Sequence, residues 1–204
     1  GEQGARTRVD LLTPLAKAYG TDIGCEVASI GIQIHGGMGF VEETGAAQHY
    51  RDARIAPIYE GTNGIQAADL VGRKLTGDGG AGMATLIADV RAEAEDARLI
   101  ALTHLVEKLT AHLLEVDVDD RLAASYPYLT MVSVMTCGWL MERQARIATA
   151  LLAKGAGDPA FLKQKQVTAH YYLTHLVGEA LGLAGSVTAG AEGLYDLSAE
   201  DLAA

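Results

Sequence analysis

Cysteine, proline, aromatic residues and positive charge are all scarce in this chain. Two cysteines among 204 residues, Cys25 and Cys137, cannot build a disulfide framework. Both lie in apolar, helix-like runs where a small buried side chain is the simpler role, and a reducing compartment fits them. Only four residues are proline and 21% are charged, which excludes a disordered or low-complexity chain. Lys and Arg number 16 against 26 Asp and Glu, a net charge of −10. Nucleic acid and anionic membrane surfaces are therefore excluded as general partners, although a local basic patch for an anionic ligand is not. No uncharged run approaches the roughly 20 residues of a membrane span, so membrane insertion is not expected. The longest apolar stretch, "SYPYLTMVSVMTCGWLMER", is interrupted by Pro127 and Gly138 and reads as a buried helix. The opening "GEQGARTRVD" has no signal-peptide core and looks like the end of an element already under way, as in the carboxy-terminal piece of something longer.

Several chemistries are also missing. The six histidines are scattered: His170 and His175 are five apart, off the spacing of paired ligands on one helical face, and His104 and His112 have no carboxylate pattern of a zinc site beside them. "EVDVDD" lacks the Gly and the closing Glu of a calcium loop and reads as a solvated helix junction. No metal is expected. "GDGGAG" is not a dinucleotide-binding glycine pattern, and there is no Gly-x-Ser-x-Gly elbow.

What is present is helical. Hydrophobic residues make up 49% of the chain, enough for one compact domain or two small ones. Thr13-Pro14 reads as an N-cap followed by a first-turn proline. Leu15, Ala18, Tyr19, Ile23, Val27, Ile30 and Ile34 then recur at helical spacing up to a stop at Gly36-Gly37. A short helix is expected from about Thr44 to Ala53, and another from about Asn63 to Leu75, N-capped by Thr62 and with Ile65, Leu70 and Val71 inward. Between them "ARIAPIYEGT" is irregular, because Pro57 biases Ala56 away from helix. "TGDGGAG", residues 76–82, is the best linker candidate. Beyond it, long Ala- and Leu-rich helices are expected at about Met83–Leu114, Arg121–Ala153 and Pro159–Ala184, the last two joined by an antiparallel turn at "KGAGDP". Tyr126, Tyr128, Met131 and Trp139 are assigned to the core of this second bundle. Strand patterns and internal repeats are absent, so the fold class is all-α, with residues 1–76 and 77–204 as two parts.

One stretch, "IYEGTNGIQ", raises a question of chemistry. Glu60 lies in a tight loop between an apolar pair and a glycine-flanked turn, and a buried carboxylate there would cost several kcal/mol unless paired or used, on the order of what transfer data give. Together with "QIHGGMGF", the segment "YRDARIAPIYEGTNGIQAADLVGRKL" resembles, in order and spacing, the carboxy-terminal helical bundle of the acyl-CoA dehydrogenase family. The resemblance is closest to the larger bacterial members with an appended carboxy-terminal helical domain, among them enzymes resembling 3-methylmercaptopropionyl-CoA dehydrogenase. Residues 8–76 carry the motifs; residues 77–204 match only as the appended domain.

The resemblance implies FAD-dependent α,β-dehydrogenation of an acyl-CoA thioester to a trans-2-enoyl-CoA. Glu60 would be the catalytic base for the pro-R α-proton, while the β-hydrogen leaves as hydride to the flavin N5. A thioester α-proton is a very weak acid, so the base must be positioned and partly desolvated, which strengthens it. Ile58 and Tyr59 would supply apolar walls, and Gly61 would allow close approach of substrate. Thr62 and the amides of Asn63 and Gly64 would meet FAD at a helix N-terminus. Many family members have Gln where this chain has Gly64. Gln33, Gly36 and Gly37 would reach the FAD of a neighbouring subunit, implying a homo-oligomer. An electron-transferring flavoprotein or similar acceptor is implied, and the Ala/Gly-rich acidic composition suggests a bacterial cytoplasmic protein. Arg51, Asp52 and Arg54 are expected as a structural ion-pair network holding the catalytic loop. The alternative reading is a non-catalytic helical subunit or interaction module that retains this loop.

Overall fold

The computed structural model describes residues 1–203, apart from the side chain of residue 3, and the regular structure among these is all helical, with no strand. The amino-terminal helix α1, Glu2–His35, is continuous for 34 residues with Pro14 inside it. The expected start at Thr13-Pro14 is therefore corrected. Thr13 donates its hydroxyl back to the Val9 carbonyl at 2.7 Å instead of capping a new helix. An interior proline costs a helix about 3 kcal/mol. Leu11 and Leu15, on either side of it and each 4% exposed, offset that cost, since burying one such side chain stabilises by roughly 1.5–3 kcal/mol.

Gly36, at φ 60°, ends α1 as expected and turns the chain into the short α2, Gly37–Phe40. Here Gly39 packs onto α1 so closely that a Cβ would lie 2.3 Å from the Ile32 carbonyl oxygen. Helix α3, Ala46–Ala53, follows and lies against α1. Helix α4, Asn63–Asp69, continues through a π turn, Leu70–Lys74, into α5, Leu75–Gly77. Ala67, Leu70 and Val71 are fully buried, whereas Ile65 is 61% exposed and not inward as expected. Ile65 falls on the opposite face of α4, beside the loop that precedes it.

Residues 76–82 form a hydrogen-bonded turn. The Gly80 amide donates to the Leu75 carbonyl at 2.8 Å, and Asp78 accepts from the amides of Gly80 and Gly82. The single helix expected over 83–114 is two: α6, Ala81–Glu93, and α7, Ala97–Glu115. The break arises because Asp96 caps α7, accepting from the Arg98 amide at 2.9 Å, while the Glu142 carboxylate accepts from the Asp96 amide at 2.7 Å. Short polar side chains that bond the backbone compete with helix continuation in this way.

Helix α8, Val118–Ala123, is capped by Asp117 and leads into α9, Ser125–Ala153, whose early position accommodates Pro127. Tyr128, Met131 and Trp139 on α9 are buried as expected, but Tyr126 is 39% exposed and reaches across to α1 rather than into the core. Helix α10, Pro159–Tyr171, is capped by Asp158 and packs along α9 after the expected turn. A second π turn, Tyr172–Leu176, leads into α11, Val177–Leu181, and the chain continues through α12, Ala184–Val187, to α13, Ala199–Leu202.

One buried cluster joins Leu11, Leu15 and Ala18 of α1 to Leu70 and Val71, and these to Leu86, Leu102, Tyr128 and Met135. The segment that follows the Glu60 loop and the later helices thus share a continuous core. Among the described residues, no helix is long and apolar enough to cross a membrane and no group of three or more His, Cys, Asp or Glu side chains gathers as a metal site.

Candidate active site

Successive turns carry the chain from α3 to α4. The amides of Ile58 and Tyr59 both donate to the Ile55 carbonyl, at 3.0 and 3.1 Å. The Asn63 amide then donates back to the carbonyl of buried Pro57 at 3.0 Å, closing the loop 57–63 with Glu60 at its tip. Glu60 has φ 54° and is the one non-glycine residue at positive φ among those described. Gly61 follows at φ 86°. A left-handed backbone at an L-residue costs about 1–2 kcal/mol and persists only where the surroundings impose it.

Those surroundings lie behind the loop. Gln66 donates its side-chain amide to the Glu60 carbonyl at 3.2 Å. Asn63, only 5% exposed, directs its side chain into α1. Its Nδ2 lies 3.0 Å from the Ala18 carbonyl, 2.9 Å from Thr21 Oγ1 and 2.8 Å from Asp22 Oδ1. Its Oδ1 accepts from Lys17 Nζ at 2.8 Å. Lys17 Nζ also stands 5.9 Å from the centre of the Tyr59 ring, so one ammonium group touches both flanks of the Glu60 tip.

Tyr59, Glu60, Gly61, Thr62 and Gly64 all lie on the exposed front of this loop. The walls expected from Ile58 and Tyr59 do not close over Glu60 in this chain, because the two are 52% and 51% exposed. Thr62 occupies the N-cap position of α4 with no side-chain capping bond, so its hydroxyl remains on the exposed side. A Cβ at Gly64 would meet no atom within 4 Å. Asn63, expected to offer its amide to a ligand, has both its backbone amide and its side chain engaged internally.

Gln33, Gly36 and Gly37 are exposed at the far end of α1. Asp22 touches Asn63, and eleven residues of helix separate it from Gln33, roughly 16 Å of axial rise at about 1.5 Å per residue. The two candidate ligand regions are therefore well apart on one rigid rod. Arg51 bonds Gln48 at 2.7 Å and pairs with Glu42 at 3.4 Å, and Gln48 bonds Asp52 at 2.7 Å. This network binds α3 to residues 42–44 and does not reach the Glu60 loop, contrary to expectation.

Residues 2–76 match the family model "Acyl-CoA dehydrogenase, C-terminal domain", and residues 79–198 match "Acetyl-CoA dehydrogenase C-terminal like". The chain belongs to the acyl-CoA dehydrogenase family. It is 41% identical over 195 residues to the 3-methylmercaptopropionyl-CoA dehydrogenase of Ruegeria pomeroyi, an alignment covering 86% of this chain and 32% of that protein. It is 31% identical over 185 residues to a broad-specificity linear acyl-CoA dehydrogenase of Mycobacterium tuberculosis, covering 80% of this chain and 30% of the relative. A human mitochondrial short-chain specific acyl-CoA dehydrogenase shares 46% identity over 61 residues, 30% of this chain and 15% of that one. The chain thus spans about a third of the length of the first two relatives.

Within this acyl-CoA dehydrogenase region, sequence reasoning did not find Lys17, Thr21, Asp22 or the structural role of Asn63. Lys17 and Thr21, and Ala18 and Asp22, are each one helical turn apart, so the polar groups were legible as one stripe. Nothing in the sequence indicated that a loop asparagine some 41 to 46 residues later in the chain fills that stripe.

Proposed function

We propose that this chain is the carboxy-terminal portion of an FAD-dependent acyl-CoA dehydrogenase that converts an acyl-CoA thioester to a trans-2-enoyl-CoA, with Glu60 as the base that takes the α-proton. The observation that carries the reading is the backbone of Glu60. In the motif where the family's base is expected, this residue alone among the described non-glycine residues holds a left-handed conformation, enforced by hydrogen bonds behind it and open in front. Such strain concentrates at functional sites.

The chain's own residues then divide the work. Tyr59 and Gly61 border the position of the acyl thioester. Ile58 and Ile65 offer apolar surface around it. Thr62 and Gly64 present a hydroxyl and an open amide at the start of the helix running from 63 to 77, which suits a polar or anionic atom of FAD. Gln33, Gly36 and Gly37 serve FAD in a neighbouring subunit, consistent with their distance from Glu60 along α1. When bound, FAD would supply the acceptor for the β-hydride, with an electron-transferring flavoprotein or similar protein as the partner that would take the electrons on.

Homo-oligomerisation is supported by the outward apolar side chains at the end of α1 and on α2: Ile34, Met38 and Phe40 are 79%, 58% and 81% exposed. Residues 1–76 carry the catalytic loop and residues 77–204 form the appended helical part; a bacterial cytoplasmic location fits the composition. The test is Glu60→Gln in the FAD-loaded protein, assayed with acyl-CoA and an artificial electron acceptor. Turnover is expected to vanish while the yellow flavin stays bound. Loss of the flavin instead would make Glu60 a structural carboxylate.

A further inference from the structure

The bonds behind the Glu60 loop do not end at α1. Asp22 uses Oδ1 to accept from Asn63 at 2.8 Å, and its other oxygen, Oδ2, accepts a hydrogen bond from the phenol of Tyr126. Tyr126 stands at the start of α9, in the appended helical part, 104 residues from Asp22 in sequence. It is followed by Pro127, which fixes the backbone of that first turn. Burial, and then the Asp22 carboxylate, push the phenol up to about 12, with Asn63 acting in the opposite direction, so Tyr126 remains a donor across the working range of the protein.

We propose that Tyr126 is a positioning residue through which the appended helical part sets the geometry of the catalytic loop, by the chain Tyr126 to Asp22 to Asn63. The proposal rests on the dehydrogenase reading for its catalytic consequence, but not for the physical link. Asn63 has its backbone amide on Pro57 and its side chain on α1, so a shift of the Asp22 carboxylate moves the residue that closes the loop. Lys17, on the opposite side of Asn63, bonds Oδ1 and not Nδ2, so only the Ala18 carbonyl and Thr21 Oγ1 are left to hold Nδ2 when the Asp22 carboxylate shifts. Removing the phenol hydroxyl leaves Asp22 Oδ2 without its protein donor. Asp22 is only half-buried, so water restores part of the bond and the loop loosens rather than collapses. Misplacement of a reacting group by about 1 Å can cost on the order of a hundredfold in rate; a partial loosening is expected to cost about tenfold.

The experiment compares the FAD-loaded wild type with Tyr126→Phe, Asp22→Ala and the double variant. Three quantities are read: flavin bound per chain, kcat and KM for acyl-CoA with an artificial acceptor, and hydrogen–deuterium exchange of peptides covering residues 55–66. Tyr126→Phe is expected to speed exchange in that segment and to lower kcat per bound flavin about tenfold with KM nearly unchanged. The double variant is expected to be no slower than the slower single one, because both changes act on one chain of bonds. A merely structural tyrosine would lower flavin content or melting temperature and leave kcat per bound flavin alone, which would overturn the proposal. Unchanged exchange at 55–66, or multiplicative losses in the double variant, would overturn it too. Should Tyr126→Phe not fold, Asp22→Ala alone carries the same expectations. A wild type that neither binds flavin nor turns over acyl-CoA would refute the dehydrogenase reading and with it the catalytic consequence, while faster exchange in Tyr126→Phe would still establish the link.

Discussion

Replacing Glu60 by glycine should make the protein more stable and catalytically dead. The φ of 54° at Glu60 costs an L-residue about 1–2 kcal/mol, and glycine removes that cost. Against it stands the extra freedom of glycine in the unfolded chain, about 0.4–1 kcal/mol. Little else changes, because Glu60 is exposed and its carboxylate makes no hydrogen bond or ion pair among the described residues. Its carbonyl, which Gln66 holds, is retained by any substitution. The net gain is about 0.5–1 kcal/mol, and a domain of this size shifts its Tm by roughly 2–4 °C for each kcal/mol, so the expected rise is about 1–4 °C.

The control is Glu60→Ala, which removes the same carboxylate but keeps a Cβ at positive φ. Its Tm should stay within about a degree of wild type. Both variants should lose about two to four orders of magnitude in kcat, the usual worth of a positioned general base. Differential scanning calorimetry of the three proteins side by side makes the measurement. A Glu60→Gly protein melting at or below the alanine variant would refute the reasoning: the left-handed backbone would then not be strain imposed by the loop, and the reading of Glu60 as a residue kept for function at a cost in stability would lose its physical support.

Two further perturbations test the fold. Ser133, 2% exposed on α9, has a buried hydroxyl with no hydrogen-bond partner among the described residues; Ser133→Ala should stabilise by about 1 kcal/mol, seen as a higher urea midpoint with an unchanged slope. At Asp96, the hydrogen bond from the Arg98 guanidinium, reinforced by the Arg98 amide, holds the carboxyl below its ordinary range against the opposing effect of burial. A lowered folded-state value means its contribution is fully present above the unfolded value near pH 4 and is lost as pH falls through the depressed one; Asp96→Asn, which can still cap α7, should therefore flatten the decline in urea midpoint between about pH 5 and pH 2 relative to wild type.

The elements that could be read from the sequence are those whose local signals agree with their tertiary setting. Asp158-Pro159 starts a helix in isolation and in the protein. The apolar run on α9 is long enough to demand burial wherever it packs. Pro14 could not be read correctly, because its local signal for a helix start is outweighed by Leu11 and Leu15, whose burial depends on helices that arrive later in the chain. The break at 94–96 was hidden for a similar reason: Glu142, 46 residues from Asp96, accepts from the amides that a continuous helix would have used. Both π turns, at 70–74 and 172–176, lack any local sequence mark. At the candidate site, Glu60 could be singled out from the sequence because its motif is contiguous. Tyr126 was placed in the core because an aromatic side chain signals burial but not a partner, and its partner lies on α1.

These two kinds of legibility meet in the architecture of the loop. Positioning a base and desolvating it are separate requirements, since one sets the direction of the carboxylate and the other its strength. With Glu60 as the proposed base, the first would be met from behind, through Pro57, Asn63, Gln66 and the Lys17–Asp22 stripe, which the later helices reach through Tyr126. The chain leaves the front open, with Ile58, Tyr59 and Ile65 each more than half exposed around Glu60. In the proposed enzyme, substrate and flavin cover that front, so the carboxylate loses water only when a thioester is present to react. Direction is then built into the fold and strength arrives with the ligand. On the proposed role, that division would explain why Glu60 is held at a backbone cost and is still exposed: the strained backbone would keep the carboxylate outward until substrate and flavin close over it.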